Sequence, residues 1–298
     1  MIPFVRTAIT AALLLIAALF SPARAQTAKT SADPALWVVK DKDTTIYLFG
    51  TFHMLKPGLD WFDDGVKKAF DASGELVTEV ITPEGGSLGE LMASLAVDHD
   101  GPPLSTRLSP EARKNYEAAM AELKIPPTAF DTFKPWAAAL FIQVTLFQQM
   151  GYGPASGAEA VLSAAAKAGG KPLGELETAE SQLRLLDTMP EPVQIAFLEG
   201  TVKSLPETRT MLDRMLADWS KGDADGLATL MNDSLDETPE LHKLMLADRN
   251  EKWADWIAAR LKRPGTVFVA VGAGHLAGKD SVQDYLAAHK LKAKRVRY

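Results

Sequence analysis

The sequence predicts an α/β protein: a central mixed β-sheet flanked by helices, with a long, mostly helical middle segment. Three observations carry this. Runs rich in β-branched and aromatic residues stand near both ends, at Leu36–Val39, Thr44–Phe49, Glu75–Val80 and Thr266–Val271. Between them, from Ser87 to about residue 263, the pattern is helical. Both strand-rich ends also carry one shared unit, a hydrophobic run that stops in Gly-x-x-His: Gly50-Thr51-Phe52-His53 and Gly272-Ala273-Gly274-His275.

The chain opens with Arg6, an apolar stretch from Ala8 to Phe20, and Ala23-Arg24-Ala25. That is the order of a cleavable signal peptide over residues 1–25, with cleavage after Ala25. The apolar stretch is shorter than the roughly 20 residues a bilayer span needs. No Cys follows it to take a lipid. The product is expected to be periplasmic or secreted, without a stable membrane anchor. Residues 26–34 are small and polar and read as a linker, and residues 35–298 as a single domain with a helical insertion over about 87–263.

Leu36–Val39 and Thr44–Phe49, separated by Asp41-Lys42-Asp43, predict a hairpin. A short helix over Asp63–Ala72 leads to the strand Glu75–Val80. Ser109 is an N-cap with Pro110 at the first helical position. Trp136–Met150 is apolar nearly all round, as in a buried helix, and Gly151-Tyr152-Gly153-Pro154 ends it. A helix over Ala158–Ala168 stops at Gly169-Gly170, Lys171–Glu177 reads as a short strand, and Thr178 caps the next helix. Residues 178–263 are helical, punctuated by Pro190, Pro192, Pro206 and Pro239. After the buried strand Thr266–Val271 come a helix over Asp280–Ala288 and a final strand, Ala293–Tyr298.

Composition removes several function classes. The 298 residues carry 32 basic and 38 acidic side chains; losing Arg6 and Arg24 with the leader takes the net charge from −6 to −8. Duplex binding needs a concentrated basic patch. Only Lys290, Lys292, Lys294, Arg295 and Arg297 gather, and a solvated terminal strand accounts for them, so nucleic acid is not expected as a partner. The chain has no Cys, which suits an oxidising compartment and excludes disulfides and thiolate metal sites. Gly-x-Ser-x-Gly, a Walker loop and His-Glu-x-x-His are all missing, so serine hydrolase, NTPase and zincin readings lack support.

The chemistry gathers on the shared unit. Gly permits a close backbone approach, and the His then lies just beyond a strand's carboxyl end, where open α/β sheets place ligands. Two such turns can meet although 222 positions separate His53 from His275. Glu79 stands near the end of its strand and Glu177 is placed similarly; a solvated strand-end carboxylate is the plainer reading of each. Two neutral imidazoles and a carboxylate would suit a divalent ion with positions left open for water and substrate. In the helix around Leu241–Leu261, Arg249 falls inside the apolar arc formed by Leu241, Leu244, Met245, Trp253, Trp256 and Ile257. A charge there requires a partner: an internal salt bridge to Glu79 or Glu177, or a substrate carboxylate or oxyanion. Gly272–Ala277 also fits Gly-x-Gly-x-x-Ala, but the 23 residues after His275 leave no room for a dinucleotide-binding unit. His99, His242 and His289 are expected at the surface.

Tyr47-Leu48-Phe49-Gly50-Thr51-Phe52-His53 and Val271-Gly272-Ala273-Gly274-His275-Leu276-Ala277-Gly278 resemble the two signatures of the TraB/GumN family, which is related to the Tiki metalloproteases. Leu176-Glu177-Thr178-Ala179-Glu180-Ser181-Gln182 and Asp248-Arg249-Asn250 resemble further family blocks in the expected order. The resemblance spans essentially the whole chain after the leader. It implies a central sheet with flanking helices, similar to erythromycin esterases and haem-binding ChaN proteins. From the Tiki branch it implies divalent-metal-dependent peptide hydrolysis, typically with manganese or cobalt. Carried over by motif, His53 and His275 would be metal or catalytic residues and Glu79 the carboxylate of the following strand. Glu177 and Arg249 would be polar family positions. Gly157-Ala158-Glu159 departs from the family's Gly-x-Asp, which leaves the role of Glu159 open.

The combined expectation is an exported hydrolase, a peptidase by resemblance, dependent on Mn, Co or Zn held by His53, His275 and Glu79. Glu79, Glu177 and Arg249 would serve catalysis on a peptide or small-molecule substrate. The alternative is a non-catalytic envelope protein of the same fold that binds haem or another small ligand through the same histidines.

Overall fold

A computed structural model describes residues 30–83, 85–236 and 239–298. The expected leader and residues 26–29 of the expected linker lie outside the described residues. The rest of that linker joins the domain. Thr30–Ser31 (β1) pairs in parallel with Leu59–Asp60 (β4), and Ala32 is buried. Backbone hydrogen bonds from Thr30 N to Gly58 O and from Ala32 N to Asp60 O hold it, a pairing that side-chain composition does not announce.

The hairpin forms as expected, with β2 (Leu36–Lys40) antiparallel to β3 (Thr44–Thr51). Asp41 closes its turn by accepting the Thr44 N–H at 2.9 Å. Helix α1 (Asp64–Ala72) leads into β5 (Glu75–Thr78). The middle segment supplies α2 (Ser87–Ala96), α3 (Leu104–Arg107), α4 (Pro110–Glu122), α5 (Pro135–Gln149) and α6 (Ala158–Ala168). The Ser109 hydroxyl caps α4 through Ala112 N, and α5 is buried on nearly every side. After β6 (Leu173–Glu175), Thr178 and Ser181 form a reciprocal capping box that starts α7 (Ala179–Asp187).

One proline does not punctuate. Helix α8 (Glu191–Ser220) runs for 30 residues through Pro206. Pro190 and Pro192 stand at its start, where missing N–H groups cost nothing. Pro206 removes one interior hydrogen bond, but Leu205, Thr208 and Leu212 around it are buried, and packing carries the helix across the gap. Helices α9 (Ala224–Asp236) and α10 (Pro239–His242), a π-helical turn (Lys243–Ala247) and α11 (Asp248–Arg260) come after it. The chain closes with β7 (Gly265–Gly272), a 3₁₀ turn (Ala273–Leu276), α12 (Val282–Ala288) and β8 (Lys294–Val296).

The main sheet has the order β6-β5-β7-β3-β2-β8. Strands β6, β5, β7 and β3 are mutually parallel, and β2 is antiparallel to both β3 and β8. This is the mixed sheet with flanking helices that the sequence predicts. Alternation along β7 sends Val267, Val269 and Val271 into a core with Trp253, Ile257 and Leu286, while Phe268 and Ala270 enter the larger core of the helical middle segment. A strand apolar on both faces is thereby covered on both.

Candidate functional site

Four parallel strands end at one edge, and each delivers a polar residue there. β3 and β7 are paired in register up to Thr51 and Gly272, so the two Gly-x-x-His segments leave the sheet at the same level. The segments pack tightly: a Cβ on Gly50 would lie 3.0 Å from the Ala273 Cα. β5 and β6 continue their pairing just past the strands, through Leu176 N to Thr78 O and Glu177 N to Glu79 O. That places the Glu79 and Glu177 carboxylates side by side, an arrangement that needs a cation.

Arg249 from α11 supplies it. Its Nη2 donates to Glu79 Oε2 at 2.8 Å and Glu177 Oε2 at 2.9 Å, and its Nε to Glu177 Oε1 at 2.9 Å. Its Nη1 faces the Met245 carbonyl and His275 Nε2, both at 3.1 Å. A guanidinium has five N–H groups, and all five have acceptors here. Gln182 Nε2 braces the same carboxylates, 3.0 Å from Glu79 and 2.9 Å from Glu177. Trp253 Nε1 donates to Glu177 Oε1 at 3.2 Å, and the Gly272 N–H donates to Glu79 Oε1 at 2.5 Å. The internal salt bridge expected of Arg249 therefore exists, with both carboxylates rather than one. No N–H remains for an oxyanion.

His275 is wholly buried beside this cluster. Asn250 Nδ2 donates to the Asp280 carbonyl at 2.7 Å, which leaves its Oδ1 facing His275 Nδ1 at 2.6 Å. The network assigns the proton to Nδ1 and the lone pair on Nε2 to Arg249. Burial first, then the Arg249 charge, then His53, hold the His275 pKa well below 6.5, so the ring is neutral.

His53 is built differently. Its Nδ1 lies 2.5 Å from Glu159 Oε1, and Thr51 Oγ1 donates to the same oxygen. Gly157 makes this possible: a Cβ there would fall 2.0 Å from the His53 carbonyl oxygen, and the next residue, Ala158, donates its N–H to Phe52 O at 2.9 Å. The start of α6 thus lies directly on the His53 turn, with Glu159 in its first turn. Burial alone would depress the His53 pKa; the charge and hydrogen bond of Glu159 outweigh it, and the pKa is raised above 6.5. Burial would raise Glu159; the His53 charge and hydrogen bonds outweigh it, and its pKa falls below 4.5. His53 Nε2 and Glu159 Oε2 are buried with no hydrogen-bond partner among the described residues. His53 also feels the charges of Glu79 and Arg249, so the two histidines share one electrostatic environment.

All five sequence-selected residues, His53, Glu79, Glu177, Arg249 and His275, therefore gather at this edge. The expected ion does not fit the arrangement they adopt. Both oxygens of Glu79 and both ring nitrogens of His275 are engaged, and Arg249 occupies the space between them. Among the described residues no three His, Asp or Glu side chains form a group that could hold a metal. Sequence reasoning left Glu159 without a role and did not single out Gln182, Asn250 or Thr51. Gln182 and Asn250 stand inside the family blocks, which was the available signal. His242 is a correction: it is 7% exposed, 3.2 Å from Asp280 Oδ2, because the loop after β7 folds over it. His99 and His289 are exposed as expected. The turn after β7 is a single 3₁₀ turn rather than the opening of a helix, unlike a dinucleotide loop.

Fold and site together define an α/β protein with paired histidine turns at the carboxyl edge of a parallel strand set. The chain belongs to the TraB/PrgY/gumN family, whose model matches residues 35–295. It is similar to the protein named "Uncharacterized protein YbaP" of Escherichia coli (strain K12), with 26% identity over 254 residues, 85% of this chain and 92% of that protein. It is also similar to the protein of the same name from Shigella flexneri, with 30% identity over 183 residues, 61% of this chain and 67% of that protein. No solved structure matches it.

Proposed function

We propose that this protein is a hydrolase of acyl substrates, peptides foremost, in which the His53–Glu159 pair takes a proton from the attacking water. One observation carries the reading: His53 Nε2 is buried and unpartnered while its other nitrogen is fixed by a carboxylate. An unmet buried polar atom costs roughly 1–3 kcal/mol, a cost that a bound water or substrate would relieve. Water attacks the acyl carbon and gives its proton to Nε2; Glu159 steadies the imidazolium, which then protonates the leaving group. Arg249 acts by holding Glu79, Glu177 and His275 in place. The peptide class rests on the family resemblance, and action outside the cytoplasm rests on the leader sequence.

The test is turnover of peptide and ester panels by the purified protein. His53→Ala should lower the rate by about 10²- to 10⁴-fold, the span of general-base catalysis. Full activity in His53→Ala, or no turnover across broad panels, would sink the reading. Turnover is expected to survive a chelator, because Arg249 already neutralises the carboxylates. Loss on chelation with recovery on adding Mn²⁺, Co²⁺ or Zn²⁺ would instead support the ion implied by the resemblance and require Arg249 to move.

A further inference from the structure

The opposite edge of the sheet gathers exposed cations. Register brings its cations together. Val38 pairs with Lys294, so continuing the antiparallel register sets Lys292 level with Lys40. The turn between β2 and β3 adds Lys42, and it touches the segment before β7 through Gly265 N to Asp43 O at 3.1 Å and Thr44 Oγ1 to Arg263 O at 3.0 Å. That contact brings Lys262 and Arg263 beside the hairpin. Lys290 precedes β8 at the same end.

Lys40, Lys42, Lys262, Arg263, Lys290, Lys292 and Lys294 are all exposed. None pairs with a carboxylate among the described residues, although the chain as a whole is acidic at −6. Asp41, which accepts the Thr44 N–H, and Asp43 stand among them and offset two of these seven charges, which leaves the surface basic. The cations lie along a strand edge and two neighbouring turns, which is a surface rather than a groove. Trp37, the nearby aromatic residue, is covered by the Arg295 guanidinium at 5.1 Å. Among the described residues this surface therefore offers no base-stacking platform and no element to enter a nucleic-acid groove.

We infer that this edge docks the protein onto an anionic phospholipid surface. Clustered Lys and Arg near such a surface are attracted over a Debye length. The topology then turns the carboxyl edge, with its buried carboxylates and histidines, away from the lipid. The inference does not depend on the proposed hydrolysis, since the two sites lie at opposite ends of the strands.

Sedimentation of the full chain with vesicles tests it. Binding to phosphatidylglycerol-containing vesicles at low salt should exceed binding to pure phosphatidylcholine vesicles by about tenfold or more, several favourable charges being involved. It should vanish near 1 M NaCl, where the screening length is roughly 3 Å. The variant K40E/K292E/K294E should lose the preference, and so should K262E/R263E, whose changes lie outside the strands; circular dichroism verifies that each folds. Equal binding to both vesicle types, an unchanged preference in the folded variants, or retention on a soluble polyanion without vesicle binding would each overturn it.

Discussion

The two Gly-x-x-His turns share a local grammar and a sheet edge, yet they hold their imidazoles in opposite states. His53 is paired with a carboxylate, its pKa raised, with one nitrogen unpartnered. His275 is paired with an amide and a guanidinium, its pKa lowered, with both nitrogens engaged. The strands set where each ring stands; the helical middle segment sets what each ring is. α6 brings Glu159 to the first turn, and α11 brings Arg249 and Asn250 to the second. A duplicated motif thus yields one ring with a free nitrogen beside a carboxylate and one ring held at both nitrogens.

Arg249 is the sharpest place to break that contrast. Removing the partner of buried charges typically costs about 3–5 kcal/mol, and Arg249→Ala leaves Glu79 with no cation and frees His275 Nε2. Chemical denaturation should show a loss of that size; a loss below about 1 kcal/mol, the worth of an exposed pair, would mean the cluster is held by something else. The two histidines come next. His275→Ala strands Asn250 Oδ1 and an Arg249 N–H, each costing roughly 1–3 kcal/mol. His53→Ala removes an orphan nitrogen but leaves the buried Glu159 carboxylate without its cation. Adding Glu159→Gln should therefore restore part of its stability and none of its activity, whereas His275→Ala should gain nothing from the same change. A stability loss that Glu159→Gln leaves unrelieved would erase the distinction between the turns.

Protonation offers a finer cut. The raised His53 pKa contributes stability that is fully present below 6.5 and is lost as pH rises through the folded-state value. The lowered Glu159 pKa contributes stability present above 4.5 and lost as pH falls through its folded-state value. The stability gap between wild type and Glu159→Gln should therefore be widest between pH 4.5 and 6.5. A base must be deprotonated to act, so the acid limb of the rate profile should lie above 6.5 and move to lower pH in Glu159→Gln. An unmoved limb would detach Glu159 from the reacting proton.

Much of this was legible in the sequence, for reasons of period. Strands with Val and Ile at alternating places announce themselves, and Arg249 betrayed its burial by falling inside a helical apolar arc. Glu79 and Glu177 were visible as carboxylates at strand ends. Glu159 was not, because its meeting with His53 depends on Gly157 lying against the His53 carbonyl, a contact between segments more than a hundred positions apart. Gln182 and Asn250 carry no charge and no periodic signal; only hydrogen-bond geometry separates a bracing amide from a surface one. His242 read as exposed because no local pattern reports that the segment around Asp280 folds over it. The expected metal set is a related case: spacing shows that His53, His275 and Glu79 can converge, but not that Arg249 stands among them.

The smallest predicted effect tests the contrast most directly, by giving the second turn the carboxylate that the first already has. In Asn250→Asp, an acceptor charge replaces the amide oxygen 2.6 Å from His275 Nδ1. That charge favours the imidazolium, while burial and Arg249 at 3.1 Å from Nε2 continue to oppose it. The His275 pKa should rise yet stay below that of His53, where no guanidinium touches the ring. The change also replaces the amide donor to the Asp280 carbonyl with an acceptor, costing about 1–3 kcal/mol. ¹⁵N spectra of the histidine rings across pH can separate the two sites, and Asn250→Ala removes the carboxylate while keeping the lost contact. A His275 ring that remains untitrated in Asn250→Asp would show that Arg249, and not the neighbouring amide, alone decides what the second histidine can do.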